Sequence, residues 1–193
     1  MRIKGFLLVM FVLWLCGCEA PVEAVDPLAV YTQMTGATME AEIISDGDFL
    51  VSEFILRCDY NPNGETVVEV LAPETMAGVQ GVLHNGQWVL QYQDMVFNVG
   101  ALSTQAVSPL ACLPLLLEGL RQGWTLEENT ETYQDQDCYR VTLDYSDDVL
   151  QDVVVTAWLS VDNGTPVGGE IAVEGERILQ VVFTSFQFYD ILG

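Results

Sequence analysis

From Met39 onward, apolar and polar residues alternate with period two. Met39, Ala41 and Ile43 oppose Glu40 and Glu42, and Leu50, Ser52, Phe54, Leu56 and Cys58 oppose Phe49, Val51, Glu53, Ile55 and Arg57. Successive side chains of a strand point to opposite faces, so such runs fit a sheet with one buried face rather than a helix. Turn residues punctuate the pattern. Asn61-Pro62-Asn63-Gly64 precedes a strand at 66–71, and Asn85-Gly86 is a tight-hairpin pair between 81–83 and 87–92. A further strand is expected at 95–99. The second half repeats the logic: Tyr139, Val141, Leu143 and Tyr145 are apolar against Cys138, Arg140, Thr142 and Asp144. It continues through 153–161, turns at Asp162-Asn163-Gly164, and ends with 169–173 and 178–189. The expectation is a mainly β (α+β) domain of about nine to eleven antiparallel strands, joined as a meander.

Two segments break the period. Asp26-Pro27 reads as an N-cap followed by proline at the first helical position, with Leu28, Tyr31 and Met34 at helical spacing up to Gly36. Residues 108–123 carry Leu110, Cys112, Leu113, Leu115, Leu116, Leu117 and Leu120, so a helix there is apolar on nearly every side and must be buried. Pro109 and Pro114 mark a kink or restart at its beginning, and Gly123 its end. One such helix between two blocks of strands predicts a strongly curved antiparallel sheet forming an unclosed barrel, with short helices plugging the concave face. Leu113, Leu116, Leu117 and Leu120 form the stripe that faces the sheet, as plug or as the lining of an apolar groove, with Arg121 and Gln122 nearer water.

The first residues carry a different signal. Arg2 and Lys4 precede an apolar run, and Leu15-Cys16-Gly17-Cys18 closes it with a small residue before a cysteine. The run is too short to span about 30 Å of hydrocarbon. This is the pattern of a lipoprotein signal peptide at 1–17, lipidation at Cys18, a tether at 18–26 and one domain at 27–193. The protein is expected outside the cytoplasm, on the outer face of the cell membrane, with the lipid as its membrane contact.

Charge narrows the partners. All 28 acidic residues follow Cys18, whereas Arg57, Arg121, Arg140 and Arg177 are the only Lys or Arg beyond Lys4; four against 28 leaves about −24. A surface of this sign cannot displace counterions from phosphates, which excludes nucleic acid. It also disfavours contact of the domain with anionic lipid. Beyond Cys18 three cysteines remain, Cys58, Cys112 and Cys138, an odd number that permits at most one internal pair. Cys138 and Cys58 are the candidates for a disulfide. Cys138, on the polar face of its strand, is expected to be the most exposed and to offer a link to a second copy.

Catalytic chemistry finds little to use. His84 is the only histidine and falls at a hairpin turn, so a Ser-His-Asp or Cys-His arrangement would have to be built from a solvated tip. No glycine-rich phosphate loop is present, and the only lysine lies in the leader. Asp59-Tyr60-Asn61-Pro62-Asn63-Gly64 matches the opening of an EF-hand loop, but position twelve is Val70 rather than glutamate. The acidic run Asp135, Asp137, Asp144, Asp147, Asp148 and Asp152 reads as a solvated edge. The sequence therefore points to a non-enzyme without cofactor or metal.

The order of strand, Asn-Pro turn and strand, then Pro73-Glu74 leading to Gly78, the Asn85-Gly86-Gln87-Trp88 hairpin, Tyr92 and a proline-led apolar helix resembles the lipoprotein-carrier fold of LolA and LolB. The resemblance spans nearly all of 26–189. With the lipobox and the acidity, the chain looks more like lipid-anchored relatives of spore-forming bacteria, such as the germination lipoproteins of the GerS type. It implies an unclosed antiparallel barrel whose mouth is plugged by helices and whose concavity can hold acyl chains. Two function classes follow: a scaffold or chaperone that docks an envelope protein, which the oily helix favours, or a carrier of a lipid, acyl chain or lipoprotein.

Overall fold

The computed structural model describes residues 26–46, 51–100, 107–146 and 152–189. The expected signal peptide, Cys18, most of the expected tether, Phe49, Leu50, Asp147 and Asp148 lie outside them. Eleven strands form one antiparallel sheet: β1 (Ala37–Asp46), β2 (Val51–Tyr60), β3 (Thr66–Ala72), β4 (Gln80–His84), β5 (Gln87–Tyr92), β6 (Met95–Gly100), β7 (Trp124–Tyr133), β8 (Gln136–Asp144), β9 (Val153–Ser160), β10 (Pro166–Val173) and β11 (Glu176–Phe188). The sheet is strongly curved and does not close. Its spatial order runs β6-β5-β4-β3-β2-β1-β11-β10-β9-β8-β7, so that among the described residues β6 and β7 are the edge strands.

This order corrects the single meander. Two meanders, β1 to β6 and β7 to β11, meet where the first strand pairs with the last, Ala37 opposite Phe188 and Ser45 opposite Leu179. Alternation sets each strand's buried face but carries no information about which distant strand lies beside it. The joining of chain start to chain end therefore had no local signature.

The buried face is the expected one. Ala37, Met39, Ala41 and Ile43 of β1, Leu56, Cys58 and Tyr60 of β2, and Val68 and Val70 of β3 are buried, as are Val141, Leu143, Val155, Ala157, Ile171, Leu179 and Val181 of the second half. Against this concave face lie α1 (Ala29–Gln33), a 3-10 turn (Pro109–Ala111) and α2 (Cys112–Gln122). The first helix is shorter than expected: Asp26 Oδ1 accepts from the Leu28 amide at 2.8 Å, so residues 26–28 form a turn and the helix begins at Ala29. Tyr31 pins it, donating to the Gly164 carbonyl at 2.7 Å and meeting Phe188 edge-on at 5.5 Å. The second helix restarts after Pro109 and ends at Gly123, whose amide donates to Gly119 O at 2.8 Å. That glycine is extended rather than left-handed, and it is required because a Cβ there would sit 2.5 Å from the Gly119 carbonyl oxygen.

One strand was not anticipated. Apart from Leu126, β7 is a run of Thr, Glu and Asn between Trp124 and Tyr133, and all but its last residue are exposed. Without an apolar face it has no period-two signal. Its strand character comes from pairing with β8 from Trp124–Asp144 to Tyr133–Gln136.

Candidate functional site

The concave face is the natural place to look for a binding groove, and α2 fills it. The chain leaves β6 at one edge of the sheet and must reach β7 at the other; the 3-10 turn and α2 lie on this connection. The helix touches β2, β8, β9, β10 and α1. Leu113, Leu116 and Leu117 are fully buried and Leu120 is 2 % exposed. Burial of each such side chain stabilises by about 1.5–3 kcal/mol. The approach is close. A Cβ on Gly169 of β10 would lie 2.1 Å from Leu116 Cδ1, so any larger residue there would force the buried Leu116 side chain to shift.

The outer side of α2 is held by a polar clasp that the sequence did not announce. Tyr60 donates its hydroxyl proton to Glu118 in a short hydrogen bond. Arg121 Nη1 reaches the Tyr60 hydroxyl at 3.3 Å and Glu118 Oε2 at 3.1 Å, while Gln122 donates to Glu118 at 2.6 Å. Burial first, then the Glu118 carboxylate, pushes the Tyr60 phenol well above its ordinary pKa. Arg121 is thus a half-buried partner in the clasp rather than a residue simply turned to water.

The thiols differ most from expectation. Cys58, Cys112 and Cys138 are all free and fully buried. Cys58 and Cys112 belong to the main core, whereas Cys138 sits in a separate cluster with Trp158, Val167 and Tyr133. No Cys58–Cys138 bond exists in this structure, and Cys138 is not the exposed thiol. Its face was assigned correctly, since it alternates with Tyr139 and Val141. That outer face is covered locally, however, because the Tyr133 ring stacks on Trp158 at 4.4 Å and the Trp158 indole donates to Glu131 at 2.6 Å. Aromatic side chains from β7 and β9 roof a position that β8 alone would leave in solvent. Desolvation raises the pKa of all three thiols.

His84 lies exposed at the end of β4, beside the Asn85-Gly86 turn. Asn61 commits its side-chain oxygen to the Asn63 amide at 3.1 Å, so the segment resembling a calcium loop is a self-capped turn. Among the described residues no group of three or more His, Cys, Asp or Glu is placed to hold a metal ion.

What remains open is the two edges. On β6, Met95, Val96, Phe97 and Val99 are 49, 63, 54 and 41 % exposed. Among the described residues nothing pairs with its outer edge, and an edge strand with apolar side chains on both faces is a template for strand addition, which soluble proteins ordinarily cover or charge. The sequence held a signal for this end that alternation conceals: between Glu74 and Glu118 the only Asp, Glu, Lys or Arg is Asp94. On β7, Trp124 and Leu126 are 78 and 56 % exposed. Elsewhere among the described residues the arginines are all engaged, Arg57 by Glu40 and Glu69, Arg121 by Glu118, Arg140 by Glu127 and Arg177 by Asp46 and Glu170.

No family model and no curated protein matches this sequence. Among solved structures the chain is similar to an uncharacterized conserved protein from Thermus thermophilus, with 10 % identity, a TM-score of 0.52, and 86 % of this chain and 85 % of that one covered. It also aligns with a LolA superfamily protein from Nitrosomonas europaea (11 % identity, TM-score 0.46, 85 % and 90 % covered). A third is LprF from Mycobacterium bovis (10 %, 0.43, 88 % and 97 %). The likeness to the Thermus protein is one of fold.

Proposed function

We propose that this protein is a non-catalytic docking module of the cell envelope, tethered to the outer face of the membrane by a lipid on Cys18, which binds a partner protein along the uncovered β6 edge. The observation that carries the reading is that edge: four exposed apolar side chains on an unpaired strand, in a domain whose concave face is already filled by its own helix. An extended partner segment adding to β6 would satisfy the free backbone groups and cover Val96 and Phe97. The stretch around β6, whose only charge between Glu74 and Glu118 is Asp94, suits such contact, since acidic repulsion is weakest there. The basic n-region and Leu15-Cys16-Gly17-Cys18 support the tether, and a setting in cell-wall remodelling, sporulation or germination follows the sequence resemblance.

A photo-crosslinking residue at Phe97, introduced in living cells, tests this. A discrete protein adduct is expected at Phe97 but not at exposed Glu65, and Val96→Lys should abolish it by placing a charge on the edge. Absence of any adduct at Phe97 removes the reading.

A second reading, carriage of an acyl chain, is favoured by one feature. A cavity of about 350 Å3 at the end of β1 and β2 is lined by Ile43, Ile44, Phe54, Ile55 and Pro73, with Glu42 and Glu53 beside them. Saturable uptake of a fluorescent fatty acid would support it.

A further inference from the structure

The start of β7 holds the most exposed of the large apolar side chains among the described residues, Trp124. Trp124 is paired in register with Asp144 of β8, and Asp144 with Val154 of β9, so the three side chains stand in a row on one face of the sheet. Beside this row opens a cavity of about 540 Å3 lined by Leu126, Asp144, Ser146, Asp152, Val154 and Glu174. Leu126, two residues along from Trp124, lies at the irregularity in the β7–β8 register between Thr125 and Glu127. Three carboxylates thus surround a partly apolar floor. Among the described residues none of the three has a cationic partner, since the four arginines are engaged with other acids. Asp144 accepts from the Ser146 amide at 2.9 Å and from the Ser146 side chain, neither of them a cation.

We propose that this cavity docks an arginine- or lysine-bearing segment of a partner protein, the cation set among Asp144, Asp152 and Glu174 and its methylene stem against Leu126 and Trp124. The proposal rests on the docking reading and names the partner's chemistry at a second point of contact, on the opposite edge from β6. An amphipathic cation fits where a bare ion does not: its stem needs apolar wall and its head needs carboxylate, and the indole face attracts it further. A guanidinium also meets carboxylates in bidentate geometry.

The test uses the full-length protein in detergent micelles, titrated with N-acetyl-tetra-arginine amide. Trp88 and Trp158 are buried, at 6 and 8 % exposure, and Trp14 precedes Cys18, so the emission change that belongs to the cavity is the part that comes from Trp124 and vanishes in Trp124→Phe. Asp152→Asn/Glu174→Gln should weaken binding about fivefold or more. Glu65→Gln/Glu74→Gln, which removes the same charge from distant exposed sites, should not. Equal weakening by both double variants would show diffuse attraction of a polycation to an acidic protein and overturn the proposal, as would the same saturable emission change with calcium chloride alone. Loss of peptide binding with the Phe97 adduct intact would remove the partner chemistry and leave the docking reading in place; the reverse pattern would do the opposite.

Discussion

At the residue scale, burial governs reactivity. The thiolate is the nucleophile in alkylation, and desolvation holds Cys58, Cys112 and Cys138 protonated beyond their ordinary range. Native protein treated with iodoacetamide at neutral pH should therefore label at none of the three on the timescale at which urea-unfolded protein labels at all; rapid native labelling of Cys138 would mean that the Tyr133–Trp158 roof opens. The tyrosines give a second test. Tyr189 donates to Asp59 at 2.7 Å, and this bond, with some burial, raises its phenol to about 12. Because the folded pKa lies above the unfolded value near 10, the neutral phenol's contribution is complete below pH 10 and is lost as pH rises through about 12. Tyr31, Tyr60 and Tyr133 are shifted in the same direction. Stability should fall across that window, less steeply in Tyr189→Phe, and absorbance at about 295 nm should show phenolate appearing late. A normal tyrosine titration in folded protein would contradict the Tyr189–Asp59 bond.

Among the elements, α2 decides what the sheet can do. Its stripe was legible because Leu113, Leu116, Leu117 and Leu120 recur at three- and four-residue spacing, and no other face could accept them. Whether a buried stripe is permanent core is a question of energy. Leu117→Ala should cost ~2–5 kcal/mol in denaturant melts if the helix is a fixed plug, since the side chain is fully buried and its loss leaves a cavity. A small loss together with saturable uptake of a fluorescent fatty acid would instead make the helix a lid and carriage the better function. The Tyr60–Glu118–Arg121 clasp argues for the plug, because lifting the helix would break a charge-assisted network.

For the whole molecule, the proposed anchor at Cys18 and the folded domain are separate in sequence. Cys18→Ser should release the protein from membranes without changing its melting behaviour, read by fractionation after a high-salt wash and by thermal unfolding. Retention in the membrane fraction would exclude a lipid on Cys18 as the tether. The charge is distributed rather than uniform: the acids crowd the flanks, while the β4 to β6 end carries almost none. Long-range repulsion from anionic surfaces and local apolar docking can then coexist in one domain.

Alternation and turn chemistry alone determined that this chain makes an antiparallel sheet with one buried face. The spacing of four leucines fixed which side of α2 meets it, and the leader's residue pattern sets the expectation of export. These are local properties, settled by the direction in which neighbouring side chains point. Only the tertiary structure decided that β1 pairs with β11, that the Thr- and Glu-rich segment from Trp124 is a strand, and that Cys138 lies under an aromatic roof. Each of these depends on a partner far away in the chain, whose arrival changes what a residue faces without changing anything in its own neighbourhood of sequence.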